Sequence, residues 1–132
     1  MNRFTDAELY LRGRDTLLAS WEAYACGAVG AAVKRFPGVA AAVFPKGPER
    51  AVYNNALLER DLGPGERAEA LDAMQSAYAA AGLTRFAAWV NESDRAMRSD
   101  LVFEPRVELP PMIIWLALEM VCEPGDQFPC EL

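Results

Sequence analysis

Residues Ala51–Asp94, AVYNNALLERDLGPGERAEALDAMQSAYAAAGLTRFAAWVNESD, read as a strand, a capped helix, a second strand and the start of another helix. The first strand, Ala51 to Leu58, places Val52, Asn54, Ala56 and Leu58 on one face and Tyr53, Asn55 and Leu57 on the other, by the two-residue period of extended backbone. Two adjacent asparagines there need a reason, because Asn is depleted in sheets and a buried amide is costly unless its donors and acceptor are met. One reason is structural, an amide at a bulge or strand end bonding a neighbouring backbone. The other is functional, an amide lining a cleft and orienting a polar ligand.

Gly63-Pro64-Gly65 punctuates the chain after that strand. Pro64 or Gly65 starts the next helix, and Glu66 and Glu69 put negative charge at its positive end. Ala70, Leu71, Met74, Ala77, Tyr78 and Ala81 recur at three- and four-residue spacing and form one apolar stripe, while Gly82 suits the left-handed position that closes a helix. Phe86 to Val90 is a continuous apolar run of strand length, as found where both faces of a sheet are covered. Strand, helix and strand make a βαβ crossover. Asn91 is the expected cap of the following helix, with Asp94 in the capping-box position and Ala96, Met97 and Leu101 continuing it.

Outward from this unit, Thr5 to Phe36 reads as helix, with Leu9, Tyr10, Leu17, Leu18, Trp21, Tyr24, Ala25, Ala28, Val29, Ala32 and Val33 as a wide apolar band. A break is expected at Gly13, with Asp15 capping a fresh helix from Thr16. The small run Ala25 to Ala32, with Gly27 and Gly30, predicts close helix–sheet packing. Phe36-Pro37-Gly38 ends the helix, Val39 to Phe44 is a strand, and the turn Pro45-Lys46-Gly47-Pro48 leads back into Ala51–Leu58 as an antiparallel hairpin. After Leu101, Met112 to Leu118 fits a strand by its Ile113, Ile114 and Trp115 content, although periodicity alone leaves a short helix open. Glu123 to Leu132 reads as a loosely attached tail. The fold class is therefore α/β (α+β), a mixed sheet flanked by helices, in a single domain of residues 1–132.

The 132 residues, 52% hydrophobic and 24% charged, are an ordinary globular balance. A net charge of −6 with 13 scattered basic residues argues against a nucleic-acid surface. The chain has no His, so acid–base work would fall to carboxylates, Tyr, Lys or a cofactor, and the commonest metal ligand is missing. Cys26, Cys122 and Cys130 are odd in number and widely spaced, which indicates reduced thiols rather than a disulfide framework or a zinc site. Met1 to Asp6 lacks the apolar core of a signal peptide, and Met112 to Leu118 is too short to span a bilayer. No membrane partner is expected, and the expected location is the cytoplasm.

Several of these stretches together resemble one family: SWEAYA at Ser20–Ala25, GVAAAVFP at Gly38–Pro45, ERAVYNNALLERDL at Glu49–Leu62, the helix AEALDAMQSAYAAAGL, and RFAAWVNESDRAMRSDL at Arg85–Leu101. From Gly13 to Leu101 the sequence is similar to the N-terminal half of GNAT-superfamily N-acetyltransferases of the actinobacterial type, and residues 101–132 match weakly. The resemblance implies a GNAT-like sheet with an N-terminal helical segment, a β-hairpin and a βαβ crossover. It also implies relatives that transfer acetyl from acetyl-CoA to an amine, and as partner a second GNAT half or a homodimer. The family holds the cofactor's pyrophosphate on an Arg/Gln-x-x-Gly-x-Gly/Ala loop that follows a strand and opens a helix. Neither Gly63-Pro64-Gly65 nor Gly27–Gly30 is read as that loop, on spacing and basic content, and Pro64 removes a donor. Acetyl-CoA is thus the family's cofactor, with none evident from this chain. Tyr53, Asn54, Asn55, Trp89, Asn91 and Glu92 are the candidate substrate-binding residues, near strand ends where open α/β sheets place ligands. No catalytic residue is assigned. The alternative reading is a non-catalytic domain that binds a partner or dimerises, prompted by the apolar run Met112–Leu118.

Overall fold

The computed structural model describes residues 3–46 and 53–103. Ala51, Val52, Gly47, Pro48, Cys122 and Cys130, the run Met112–Leu118 and the segment Glu123–Leu132 lie outside the described residues. Helix α1 spans Asp6–Cys26, strands β1 and β2 span Ala32–Phe36 and Val39–Val43, β3 spans Asn55–Leu58, α2 spans Pro64–Ala80, β4 spans Ala87–Trp89 and α3 spans Arg95–Phe103. The sheet runs β1-β2-β3-β4, antiparallel across the first two junctions and parallel across the last. This is a mixed α+β domain, and its antiparallel hairpin and parallel crossover are the ones expected from the turn and helix signals. No described helix is long and apolar enough to cross a membrane.

Helix α1 starts where expected, at Thr5, and differs from its expected form in the middle and at its carboxyl end. It is continuous through Gly13, because a single glycine weakens a helix by only about 1 kcal/mol and supplies no stop signal. Thr5 and Glu8 close its start as a reciprocal capping box: the Thr5 N–H donates to Glu8 Oε2 at 2.7 Å and the Glu8 N–H donates to Thr5 Oγ1 at 3.2 Å. The Thr5 backbone N–H, and then its hydroxyl, hold the Glu8 carboxyl below the usual carboxylate range. Asp15 therefore caps nothing, and its carboxylate pairs with Arg14.

The same helix stops at Cys26, ten residues before the expected end, and the chain turns through Gly30 at φ 74° into β1. Ala28, Val29, Ala32 and Val33 carry helical spacing, yet Val29 is 78% exposed. The spacing was fortuitous, and Gly27 and Gly30 serve the turn, while Ala25 is buried. Phe36-Pro37-Gly38-Val39 then forms the two-residue hairpin between β1 and β2, with Phe36 opposite Val39. Pro37 presets the first central position, and Gly38, at φ 82°, takes the second, as a type II turn requires.

Strand β3 begins at Asn55, so Tyr53 and Asn54 belong to the turn before it. Its alternation is the expected one. Ala56 and Leu58 join Val39, Ala41, Val43, Leu71, Met74 and Tyr78 under α2, with Met97 and Leu101 of α3 on the same side. Leu57 faces the other way, with Leu18 and Trp21 of α1, Ala40 and Ala42. Tyr78 stacks on Phe86 at 4.3 Å and its hydroxyl donates to the Ala42 carbonyl at 3.0 Å. Burial pushes this phenol far above its usual pKa.

Helix α2 starts with Pro64 at its first position and ends as the sequence indicates. The Leu83 N–H donates to the Tyr78 carbonyl at 2.9 Å and the Gly82 N–H to the Ala79 carbonyl at 3.0 Å, with Gly82 at φ 73°. These two bonds make a Schellman motif. Helix α3 is capped by Asp94, whose Oδ1 accepts the Met97 N–H at 3.2 Å. Asn91 instead folds an Asx turn, its Oδ1 accepting the Ser93 N–H at 3.0 Å.

Gly38 is the tightest point of this frame. A Cβ there would lie 2.9 Å from Leu62 Cδ1 and 3.0 Å from the Ala70 Cβ, on backbone already at positive φ. Gly38→Ala is expected to lower the unfolding free energy by about 2–4 kcal/mol, from left-handed strain plus overpacking, measured by urea denaturation. A loss under about 0.5 kcal/mol would show that β1–β2 and α2 do not meet as described.

Candidate functional site

The six residues expected to form a site are distributed over three places. Asn54 is fully buried at the amino end of β3, where its Oδ1 accepts the Phe44 N–H at 2.8 Å and its carbonyl accepts the Ala87 N–H at 2.8 Å. Tyr53, beside it, is half exposed and tilts against Phe44 with ring centroids 6.0 Å apart. Asn55 and Trp89 meet on the α1 face, the indole N–H donating to Asn55 Oδ1 at 3.0 Å while the Trp89 ring lies edge-on to Trp21. Asn91 and Glu92 stand at the carboxyl end of β4, in the Asx turn and exposed beside it. The Asn54 and Asn55 amides bond groups of neighbouring strands, and the Asn91 amide folds a turn.

The carboxyl ends of β3 and β4 carry a different arrangement. The parallel ladder ends at Leu57 opposite Trp89, whereas β3 stays bound to the hairpin, the Glu59 N–H donating to the Gly38 carbonyl at 2.9 Å. From Glu59 the chain forms a loop that opens α2, with Asp61 in left-handed backbone at φ 64°. Three neighbours fix this loop. Beyond the Gly38 contact, the Arg60 N–H donates to the Tyr10 hydroxyl of α1 at 3.2 Å. On the far side, the Arg67 guanidinium of α2 donates from Nη1 to the Leu62 carbonyl at 3.0 Å and from Nε to Asp100 of α3 at 2.7 Å.

The electrostatics of the loop are set by its main chain. Arg14, Arg60 and Arg67 are each paired with a carboxylate: Arg14 with Asp15 and Glu59, Arg60 with Asp6 and Asp61, Arg67 with Asp100. The first turn of α2 supplies the remaining positive potential. Pro64 has no N–H, and the Arg67 N–H already donates to the Gly63 carbonyl at 2.9 Å. The N–H groups of Gly65 and Glu66 are the ones without an acceptor inside the helix. Glu66 folds back so that its Oε1 accepts the Gly63 N–H at 3.0 Å, which places a side-chain carboxylate where an anionic ligand of a helix N-terminus would sit. Burial pushes the Tyr10 phenol upward, opposed by the hydrogen bond from the Arg60 backbone, so it is protonated at neutral pH and accepts while keeping its own proton.

The sequence reading weighed these glycines without the arginine ahead of them. Arg60-Asp61-Leu62-Gly63-Pro64-Gly65 has the Arg-x-x-Gly-x-Gly spacing, one residue after β3 and running into the first turn of α2. Counting from Arg60 would have found it. Tyr10 had no such signal, since it read as one more apolar residue of a helical band. Among the described residues no three Cys, Asp or Glu side chains gather as a metal-ligand set.

What the fold and this loop define is a class: a mixed α+β domain whose crossover helix starts at an Arg-x-x-Gly-x-Gly turn at the carboxyl end of a parallel strand. Compared with protein-family models, curated proteins and solved structures, the chain matches none.

The assignment of Asn54 to the frame has a direct consequence. Asn54→Ala leaves the Phe44 N–H without its acceptor and is expected to cost about 1–3 kcal/mol of stability, read from urea unfolding followed by circular dichroism. A stability equal to that of the wild type would return Asn54 to the list of ligand-facing residues.

Proposed function

We propose that this chain is a GNAT-related domain that binds an acyl-CoA through its pyrophosphate at residues 60–66, the arrangement by which complete relatives transfer acetyl to an amine. The observation that carries the reading is the Arg60-x-x-Gly63-x-Gly65 loop between β3 and α2, at the carboxyl end of the parallel β3–β4 pair. Support also comes from the element order, an N-terminal helix, a hairpin and a βαβ crossover, which is the order the family resemblance implies.

The chemistry asked of the protein is modest. A pyrophosphate would take its hydrogen bonds from the Gly63, Gly65 and Glu66 N–H groups and its charge stabilisation from the start of the α2 dipole. The guanidinium groups nearby are already paired, so recognition rests on backbone donors, and Glu66 has to leave Gly63 for the anion to enter. Acyl transfer then requires an amine held against the thioester, its proton removed by a carboxylate or water, and a backbone N–H at the developing oxyanion.

A second reading, a non-catalytic domain that binds a partner or dimerises, is favoured by one specific observation. The Glu66 carboxylate occupies the Gly63 N–H, and each arginine of the loop is matched by a carboxylate.

Calorimetric titration of acetyl-CoA into the wild type and into Glu66→Ala separates the two. The acyl-CoA reading expects saturable binding with a Kd on the order of micromolar, and roughly threefold to tenfold tighter binding by Glu66→Ala, which frees the Gly63 N–H and removes a competing charge. The same variant is expected to lose about 0.5–1 kcal/mol of stability with its half of the cap. No heat from either protein at high acetyl-CoA concentration would sink the reading, and a dimeric mass in solution would then support the second.

A further inference from the structure

We infer that Tyr10 is a positioning residue for the loop Glu59–Gly65, so that the N-terminal half of α1 sets how well the loop presents its main-chain donors to an anion. The inference deepens the acyl-CoA reading and rests on it for the identity of the ligand.

The motive is an imbalance along α1. Its buried residues, Leu18, Trp21 and Ala25, all lie in the second half. In the first half Leu9 and Leu11 are substantially exposed, and nothing apolar there reaches the core as those three do. The first half is tied to the rest of the domain by polar and aromatic groups, and these converge on two adjacent residues. Asp6 Oδ2 lies 2.9 Å from Arg60 Nη2, the Tyr10 ring lies 4.3 Å under the Arg60 guanidinium, the Tyr10 hydroxyl accepts the Arg60 N–H at 3.2 Å, and Arg14 Nη1 lies 3.5 Å from Glu59 Oε1.

Among these contacts Tyr10 dominates. Asp6 is 87% exposed and Glu59 is also open to solvent, and ion pairs in that setting contribute little. Tyr10 meets both the guanidinium and the main chain of a residue only 15% exposed. The hydrogen bond also falls immediately before Asp61, the one described non-glycine residue at positive φ. Pinning the Arg60 amide fixes the chain where it enters the left-handed turn, and with it the orientation of the donors that follow. Preorganised donors bind an anion without an ordering cost.

The test compares Tyr10→Phe, which keeps the ring and loses the hydroxyl, with Tyr10→Leu, which loses both. Amide hydrogen exchange of residues 59–65 is measured without ligand, and acetyl-CoA affinity by calorimetry. Tyr10→Phe is expected to speed exchange at the Arg60 amide and weaken acetyl-CoA binding roughly threefold, Tyr10→Leu roughly tenfold, with exchange in β2 and β3 unchanged. Partial rescue by Phe over Leu is the signature of positioning. Unchanged exchange at Arg60 in Tyr10→Phe overturns the inference whether or not the protein binds acetyl-CoA. Faster exchange with unaltered affinity overturns it too, leaving Tyr10 a purely structural contact. Faster exchange in a protein whose wild type gives no heat with acetyl-CoA overturns the acyl-CoA reading, and the anion-presenting role falls with it.

Discussion

The sheet depends on the buried amide of Asn54. Strand β3 must pair antiparallel with β2 and parallel with β4, and a slip of one residue would carry Leu57 into the α2 face and Ala56 and Leu58 into the α1 face. Asn54 excludes that slip from a single position. Its side chain accepts from Phe44 at the end of β2 and its carbonyl accepts from Ala87 at the start of β4. Asn55 repeats the device on the opposite face, holding the Trp89 indole and so the angle at which Trp89 meets Trp21 of α1. Apolar residues at these positions would pack without choosing a register, since the faces of β2 offer alanines to either side.

Much of this frame was legible because its signals are local. Pro64, Glu66 and Gly82 mark the ends of α2 by backbone chemistry that does not depend on what the helix packs against, and Pro37-Gly38 marks a tight turn for the same reason. What was illegible turns on tertiary context. Val29 and Val33 continue the period of α1 in sequence, but one is in solvent and the other is on a strand, and the chain itself carries no label for which glycine ends the helix. Gly13 and Gly30 look alike as letters; Gly30 adopts positive φ and Gly13 is absorbed into a helix whose flanks are held by other contacts.

The reading of the candidate residues turns on the same context. Asn54, Asn55 and Asn91 drew attention because polar groups in apolar surroundings need partners, and that argument is right, but the partners are backbone and indole groups of the same domain. Need for a hydrogen bond is shared by framework and site residues, so it cannot tell them apart from sequence. The loop at 60–65 has the opposite character. Nothing in it is costly as written, and its interest lies in the donors it leaves over once the helix, Pro64 and Glu66 have taken theirs.

On the acyl-CoA proposal, that surplus is what a chain of net charge −6 would offer a pyrophosphate. Side-chain cations near the loop are neutralised in pairs, and a long-range field from such a chain repels anions rather than gathers them. Binding has to be short-range, through N–H groups whose geometry is set by the surrounding elements: Gly38 from the hairpin, Tyr10 from α1, and Arg67 with Asp100 from α2 and α3. Each of those contacts comes from a different part of the chain, so the loop acquires its shape only when the whole domain has folded. Glu66 then competes for the same donors from within the helix. Ligand affinity becomes the difference between an intramolecular carboxylate and an external phosphate on one set of N–H groups, and that difference, more than the overall charge, decides whether the loop is a cofactor site or a well-capped helix end.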